Sequence, residues 1–228
     1  MHPILYLVDH MMIPMLKYCY SFTNSYGLAI LLLTLILKLI LFPLTVKQTE
    51  SMAGIKLIQP KMKELQAKHK DNPQMLQMKM MELYKENKVN PLGGCLPTLV
   101  QIPFFIAIFV SLSSPQFKAL VNTEGVSAGF LWLKSLTLPD KLMILPLLVA
   151  ASTYLSQLTM NPGGAKDDPQ MKMFAYMPIF MFFIAMSMPS GVLLYWASSQ
   201  LITGAQQYFL NKRFAKKNAI SIQGKEKK

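Results

Sequence analysis

Five long apolar blocks dominate this chain and limit the folds open to it. They cover residues 26–46, 96–112, 142–158, 173–188 and 192–210. About 20 apolar residues in a helix match the ~30 Å hydrocarbon thickness of a bilayer. Hydrophobic residues make up 52% of the 228 positions and charged residues only 15%, which is low for a soluble domain with a surface to cover. We therefore predict an all-α integral membrane protein with five transmembrane helices.

The segments outside these blocks have a different character. Residues 1–25 mix apolar side chains with Asp9, His10 and Lys17, which favours an amphipathic segment on the outer membrane surface. A poorly formed spanning helix is the alternative. Residues 47–88 are rich in lysine and acids, with apolar positions at helical spacing, and Asn72-Pro73 is typical of a helix start. We predict a helical hairpin outside the membrane here, and a basic tail over 211–228 that loses structure after its first turns.

The distribution of basic residues predicts the orientation. If the hairpin is cytoplasmic, 18 of the 23 Lys and Arg residues lie on the inner side and four on the outer side. Lys and Arg resist translocation, so they accumulate in cytoplasmic loops. The sequence therefore predicts an outer N-terminus and a cytoplasmic C-terminus. The net charge of +12 needs no nucleic-acid partner to explain it.

The one remaining basic residue, Lys38, lies inside the first apolar block. It precedes the predicted helix end at Val46 by eight residues, roughly 12 Å along the axis, which is long for a snorkelling lysine. A lysine at mid-membrane costs about 2.5–3.5 kcal/mol on insertion scales, and none of the five blocks contains an acid. We interpret Lys38 as facing a water-filled cavity, with snorkelling to the interface as the alternative.

Other polar side chains fall inside the apolar blocks. Thr34 shares the helix face of Lys38, Gln101 lies in the second block, and the fifth contains more. Each has an ordinary explanation as a helix-packing or interfacial residue. Together they favour a shared hydrophilic pocket, whose candidate lining residues in the fifth block are Tyr195, Trp196, Ser198, Ser199, Gln200 and Thr203.

The sequence shows no pattern that is typical of an enzyme. It contains no nucleophile–base pair, metal-ligand spacing or phosphate-binding loop, and the two cysteines form no recognisable pattern. We predict a protein that is not an enzyme, with no cofactor and no small-molecule substrate. A channel or transporter with a path past Lys38, and a purely structural assembly partner, are the alternatives to the function described next.

Several short strings, in order along nearly the whole chain, closely resemble the YidC/Oxa/Alb membrane-protein insertase family. The strings are Phe42-Pro43-Leu44-Thr45, Ser51-Met52-Ala53, Gln59-Pro60-Lys61, Leu83-Tyr84-Lys85, Asn90-Pro91-Leu92-Gly93-Gly94-Cys95-Leu96-Pro97, Gln101-Ile102-Pro103-Phe104-Phe105, Pro189-Ser190-Gly191 and Leu194-Tyr195-Trp196.

The resemblance implies a mechanism. It implies a five-helix core with a hydrophilic groove open to the cytoplasm and to lipid, in which a basic residue attracts the polar or acidic outer segment of an arriving helix without nucleotide hydrolysis. By motif position, Lys38 is that basic residue. The lining would be Thr34, Gln101, Tyr195, Trp196, Gln200 and Thr203, to which the residues themselves add Ser199.

The resemblance also implies partners and a location. We expect nascent membrane proteins as substrates, insertion and folding of their helices as the activity, ribosome contact through the hairpin and the basic tail, and cooperation with the Sec translocon. The expected location is the bacterial inner membrane, with the thylakoid membrane as the alternative. One departure is clear: bacterial members usually carry arginine where this chain has Lys38.

Overall fold

The structure, a computed structural model, describes residues 6, 8–87, 89–90, 96–121, 129–160 and 169–226, and side chains at 6, 8, 10–87, 89–90, 101–121, 129–157 and 176–214. Within these residues the chain is helical, apart from one isolated β-bridge between Phe130 and Leu133. A π-helical turn, Val8–Met12, comes first. The α-helices are α1 (Ile13–Thr23), α2 (Tyr26–Ile40), α3 (Phe42–Lys68), α4 (Pro73–Glu86), α5 (Leu96–Ser113), α6 (Pro115–Val121), α7 (Ile144–Met160), α8 (Pro169–Ala185) and α9 (Ser190–Glu226).

The first apolar block is not one helix. The helix predicted over 26–46 ends at Ile40, where the N–H of Leu41 donates to the carbonyls of Leu37 and Leu39, and α3 begins at Phe42. Pro43 explains the break, since proline has no N–H to continue the ladder and restricts the residue before it. The same ring suits the start of a new helix. Lys38 therefore lies two residues from the end of its helix instead of eight.

The other apolar blocks fall on α5, α7, α8 and α9, with ends that shift by a few residues. The exception is α9, which continues through the basic tail to Glu226, where we expected loss of structure. The sequence contains no proline after Pro189 to stop it. The loop at 161–168 and the motif residues 91–95 lie outside the described residues.

Helix length alone does not identify the membrane spans. Among the described residues, no single helix is both long and apolar enough to cross a bilayer, although two bent pairs meet that requirement together. The first pair, His10–Thr23 with Tyr26–Ile40, bends by 118°, and the second, Gln101–Ser113 with Pro115–Val121, bends by 55°. The apolar parts of α7 and α8, Ile144–Gln157 and Tyr176–Ala185, are shorter.

The chain forms two compact units. The first comprises Met1–Leu41 and Gln101–Ala205, and the second comprises Phe42–Val100 and Gln206–Lys228. In the first unit α1 packs on α2 and α7 packs on α8. Its core includes side chains from α1, α2, α5, α6, α7 and α9, among them Leu16, Ile30, Leu33, Ile108, Phe117, Val149 and Leu193.

Hydrogen bonds fix the segment 129–143, which precedes α7, to the start of α9. The N–H and the hydroxyl of Ser190 both donate to the carbonyl of Leu138, at 2.8 and 2.6 Å, and the N–H of Gly191 donates to that of Leu136 at 2.8 Å. A Cβ atom at position 191 would lie 3.1 Å from the carbonyl oxygen of Leu136. These contacts require a small residue at the Pro189-Ser190-Gly191 turn.

Asp140 organises the other end of the same loop. The residue is 8% exposed, and its carboxylate accepts from the N–H groups of Leu142 (3.0 Å) and Leu145 (2.8 Å) and from the indole N–H of Trp132 (3.3 Å). Leu145 lies in the first turn of α7, whose N–H groups have no partner within the helix. Asp140 thus supplies acceptors to the start of α7 and ties the loop to it.

The second unit contains the charged hairpin of α3 and α4. Asn72 caps α4, as its sequence predicts, by accepting from the N–H of Met75 at 3.0 Å, and Pro73 occupies the first helical turn. On the exposed side Lys79 and Glu82 form an ion pair at 2.7 Å, and this hydrogen bond holds the pKa of Glu82 below its usual value. The helices α3 and α4 pack against each other, while the position of this pair outside the membrane stays a prediction.

Candidate functional site

Lys38 lies in the interior of the first unit. It occupies the last turn of α2, where Thr34 precedes it by one turn on the same face. The residue is 9% exposed and Thr34 is fully buried. Of the described side chains that are buried, only Lys38 and Asp140 are charged. A buried ammonium requires polar contacts, because its desolvation is otherwise costly.

Three helices supply a line of polar groups that begins at Lys38. The ammonium Nζ donates to Oε1 of Gln101 on α5 at 3.4 Å. The Nε2 of Gln101 donates to the hydroxyl of Tyr195 on α9 at 2.7 Å. Tyr195 is 2% exposed, and the side chain of Ser199 lies beside its hydroxyl, one turn later on α9. Four of the predicted residues therefore meet in one connected set, which we call the Lys38 line: Lys38, Gln101, Tyr195 and Ser199.

The direction of hydrogen bonding along the Lys38 line follows from its first member. An ammonium has three donors and no acceptor, so the glutamine must present its carbonyl oxygen to Lys38. Its amide N–H then points at the tyrosine oxygen. The charge of Lys38 thus fixes the orientation of the Gln101 amide. The Tyr195 hydroxyl accepts the hydrogen bond that the amide N–H donates.

The remaining predicted residues lie near the Lys38 line without joining it. The hydroxyl of Thr34 donates to Ile30 O at 2.7 Å and that of Thr203 to Ser199 O at 2.8 Å, both within their own helices. Trp196 packs edge-to-face on Phe105 with ring centroids 5.1 Å apart. The other predicted residues of α9 are half-buried, with the Ser198 hydroxyl donating to the backbone of its own helix. Both threonine hydroxyls are thus satisfied by the backbone of their own helices.

Sequence reasoning missed a set of buried hydroxyls on α7. Ser152, Thr153 and Ser156 are between 4% and 7% exposed. The hydroxyls of Ser152 and Thr153 both donate to Val149 O, at 3.1 and 2.7 Å. Three hydroxyl residues within five positions of an apolar block are a visible signal, although the same residue types serve ordinary helix packing.

The Lys38 line offers donor groups and a positive charge, and no nucleophile activated by a base. Its single cation is held by a neutral amide, with no carboxylate in the connected set. Such an arrangement attracts anionic or polar groups by charge and hydrogen bonding. It fits binding better than bond-breaking chemistry.

The sequence model of the family described as 60Kd inner membrane protein matches residues 18–217 of this chain. The chain belongs to this family. Its members are membrane insertases rather than enzymes. The match includes all four residues of the Lys38 line and both helices of the hairpin.

Relatives in this family bear the same name. The chain is 44% identical to "Membrane protein insertase YidC" of Wolinella succinogenes over 91% of its own length and 38% of the relative's. It is 40% identical to the protein of that name from Helicobacter pylori over 93% of its length, again 38% of the relative's. A shorter relative from Fusobacterium nucleatum, with the same name, is 41% identical over 86% of this chain and 90% of the relative.

A solved structure is also similar. The chain superimposes with a TM-score of 0.67 on a chain described as "Active YidC insertase crystal structure with the first transmembrane domain resolved". The identity is 28%, and the match covers 90% of this chain and 46% of that one. This chain therefore spans less than half of that protein and of the longer relatives, while it covers nearly all of the shorter relative.

Proposed function

We propose that this chain is an insertase and chaperone for membrane proteins, which moves helices of nascent proteins into the bilayer through a hydrophilic groove. The observation that carries the proposal is the Lys38 line, a buried cation held by an amide inside an apolar helical unit. The curated relatives named membrane protein insertase YidC support the same activity. The location that follows is the bacterial inner membrane.

Exposed apolar side chains support a lipid environment around the first unit. Leu35 and Leu39 on α2, Leu147 on α7, and Phe180 and Phe183 on α8 are each at least 40% exposed. Apolar groups spread over several helices are unfavourable in water and favourable in lipid. We propose five membrane-spanning segments within α2, α5, α7, α8 and α9, with the N-terminus outside and the C-terminus in the cytoplasm.

In this orientation Lys38 lies near the cytoplasmic end of α2, because it occupies the last turn. A groove that begins there would be open to the cytoplasm and to lipid, and closed on the outer side. The loop held by Asp140 and Ser190 lies toward that outer side. Lys38 and its neighbours Thr34, Gln101, Tyr195, Trp196, Ser199, Gln200 and Thr203 are the proposed lining.

The groove would act on the polar part of an arriving helix. A charged or polar outer segment cannot cross hydrocarbon without a large desolvation cost. The ammonium of Lys38 and the amide and hydroxyls around it replace part of the lost hydration, so the segment crosses a shorter apolar path. The apolar part of the client then leaves sideways into lipid.

Contacts with the translation and translocation machinery are further proposals. Lys212 and Arg213 on α9 are exposed and basic, which suits ribosomal RNA or an anionic lipid surface equally. The hairpin of α3 and α4 presents additional lysines. Cooperation with the Sec translocon follows from the family alone.

Photo-crosslinking tests the groove. A crosslinking amino acid placed at Gln200, a half-buried residue of the proposed lining, should capture nascent transmembrane segments in ribosome-bound complexes. The same group on exposed Tyr18 of α1 serves as the control and should capture few. Absence of crosslinks at Gln200 while insertion proceeds would refute the groove.

Substitution of Lys38 tests the charge. Lys38→Ala should weaken insertion and Lys38→Arg should preserve it, because arginine keeps the positive charge. The measurement is protease protection of a client in liposomes that contain the purified chain. Equal insertion by all three proteins would show that the charge is dispensable.

A further inference from the structure

The segment 129–143 holds two apolar residues in a backbone conformation that such residues rarely adopt. Leu131 and Met143 have φ angles of 54° and 56°, in the left-handed region. Among the described residues one other non-glycine residue has a positive φ, and this is Asn24, which caps the end of α1. Asparagine visits this region readily, whereas most side chains bring their Cβ too close to the following carbonyl. Leucine and methionine therefore stand where asparagine or glycine would strain the backbone less.

Leu131 lies in a tight turn that fixes this conformation. The N–H groups of Phe130 and Leu133 each donate to the other residue's carbonyl at 2.9 Å, so Leu131 and Trp132 form a two-residue hairpin loop. Loops of this kind with a positive φ at the first position usually carry Gly, Asn or Asp there. The indole N–H of Trp132 donates to Asp140 and ties the turn to the start of α7.

The same side chains are exposed. Leu131 is 75% exposed, the highest value among the large hydrophobic residues that the structure describes. Leu138, Leu142 and Met143 are exposed as well, and we call these four residues the apolar tips. A polar residue at position 131 or 143 would avoid both the strain and the contact of apolar surface with water. The apolar tips are therefore suited to an environment other than water.

Two observations favour lipid as that environment. The apolar tips continue into α7, whose first turns expose Ile144, Leu147 and Leu148 on the proposed lipid-facing side. The segment 129–143 also contains two exposed lysines, Lys134 and Lys141, and its single acid is the buried Asp140. Apolar side chains with lysines beside them are typical of segments that bind an anionic lipid surface.

We propose that the apolar tips enter the leaflet that borders the start of α7, and that Lys134 and Lys141 bind the phosphate groups of anionic lipids there. In the proposed orientation this is the outer leaflet. Burial of Leu131 and Met143 in lipid offsets the strain of their backbone. Because hydrogen bonds join the segment to α7 and to Ser190 of α9, lipid contact at the tips fixes the depth of both helices. This inference rests on the proposed membrane-spanning segments and adds a lipid-binding surface to them.

Fluorescence quenching tests the environment of the tips. The full chain, with Cys19→Ala and Cys95→Ser, is placed in vesicles of phosphatidylcholine and phosphatidylglycerol and carries one bimane label at a time. The labelled positions are Leu131→Cys, Leu147→Cys on exposed α7 surface and Asp71→Cys at the exposed turn of the hairpin. Lipids with a nitroxide high on the acyl chain report lipid contact, and iodide on both sides of the membrane reports water contact. We expect the label at 131 to behave like that at 147, with strong nitroxide and weak iodide quenching, and the label at 71 to show the reverse.

The possible outcomes distinguish the environments. Strong iodide quenching at position 131 would place the tips in water and overturn the proposal. Weak quenching by both reagents would indicate cover by protein, either a second copy or a partner, and would overturn it as well. Iodide quenching at both 131 and 147 would show that the proposed span of α7 is wrong, whereas iodide quenching at 131 alone refutes only the lipid-binding surface.

The two lysines are tested by lipid preference. At equal mole fraction, nitroxide-labelled phosphatidylglycerol should quench the label at 131 more strongly than nitroxide-labelled phosphatidylcholine. The variant Lys134→Gln with Lys141→Gln should lower this preference by about fivefold for each lysine removed. The control, Lys61→Gln with Lys63→Gln, changes two exposed lysines of α3 and should leave the preference intact. Equal preference in both double variants would refute the binding of anionic lipid by Lys134 and Lys141.

Leu131→Asn tests the apolar side chain while keeping the turn, because asparagine favours the left-handed conformation. The reporter is Trp132 in a Trp196→Phe background, since the chain has two tryptophans. Quenching of Trp132 by nitroxide lipids should fall in Leu131→Asn. It should be unchanged in Leu57→Asn, the same substitution at an exposed position of α3. Equal quenching of Trp132 in the parent protein and both variants would overturn the proposal.

Discussion

Removing the carboxylate of Asp140 should strongly destabilise the first unit. In Asp140→Ala, the N–H groups of Leu142 and Leu145 and the indole N–H of Trp132 lose their acceptor. Leu145 is 1% exposed, so water cannot easily replace the lost partner. Each hydrogen bond to a charged group contributes about 1.5–3 kcal/mol, so losing the two shorter bonds should cost roughly 3–6 kcal/mol.

Asp140→Asn should have an intermediate effect. One amide oxygen can still accept, but the NH₂ group must face an N–H donor at the other position, so one bond is lost. The expected cost is about 1–3 kcal/mol. The order of stability should therefore be Asp, then Asn, then Ala. If only side-chain volume mattered at position 140, the proteins with Asn and Asp would be equally stable.

Cys19 offers a direct assay of this order. The residue is 1% exposed in the core of the first unit, and the chain has one other cysteine, Cys95. In a Cys95→Ser background, maleimide labelling of Cys19 reports opening of the unit during heating or denaturant titration in detergent. Asp140→Ala should label at markedly lower temperature or denaturant concentration than the parent protein.

Asp71→Ala is the matched control, because Asp71 is exposed at the turn between α3 and α4. An exposed substitution of this kind changes stability by about 0.5 kcal/mol or less. Labelling curves for Asp140→Ala that coincide with those for Asp71→Ala would refute the hydrogen-bond argument.

Four other substitutions test the packing, the α4 cap and the turn before α9. Gly27→Ala should destabilise the first unit by about 1–3 kcal/mol, because its Cβ would collide with the ring of Phe130, whereas Gly204→Ala, with open space around it, should be neutral or slightly stabilising in the same Cys19 assay. Asn72→Ala removes the α4 cap and should cost about 1 kcal/mol, measured as loss of helicity on heating. Ser190→Ala removes one of two bonds to the Leu138 carbonyl and should lower the denaturation midpoint by the equivalent of about 1 kcal/mol.

Local signals explain which helix ends were predictable. The start of α4 follows from Asn72 and Pro73, because the cap and the proline act within one turn and need no tertiary contact. The end of α2 was predicted at the wrong residue, although Pro43 was visible. Hydropathy remains high from Leu41 to Val46, and a hydropathy window does not register a missing backbone donor.

The membership of the Lys38 line was only partly predictable. Polar residues within apolar helices identified Lys38, Gln101 and Tyr195, because such residues are costly in lipid and rarely occur without a partner. Their pairing spans 63 and 94 positions of sequence, so it depends on how the helices pack. Sequence also does not distinguish a hydroxyl that lines a cavity from one that bonds its own helix, as Thr34 does.

The break after α2 changes the physical argument for Lys38. Proximity to a helix end makes snorkelling easier than the sequence indicated, since only two residues separate Lys38 from Ile40. The side chain nevertheless remains 9% exposed and contacts Gln101. In the proposed membrane orientation, a lysine close enough to the interface to reach it is instead buried beside Gln101, where an apolar residue would cost less to desolvate.

In the proposed function, the charge of Lys38 is retained because a client uses it. One long bond to a neutral amide satisfies a single donor of the Lys38 ammonium and offsets only part of its desolvation. In the proposed mechanism an arriving polar segment supplies acceptors for the remaining donors of Lys38, so that client and site stabilise each other during crossing. A lysine fully paired within the protein would leave its ammonium no free donor for a client, so the proposed function requires the loose contact with Gln101 as well as the charge.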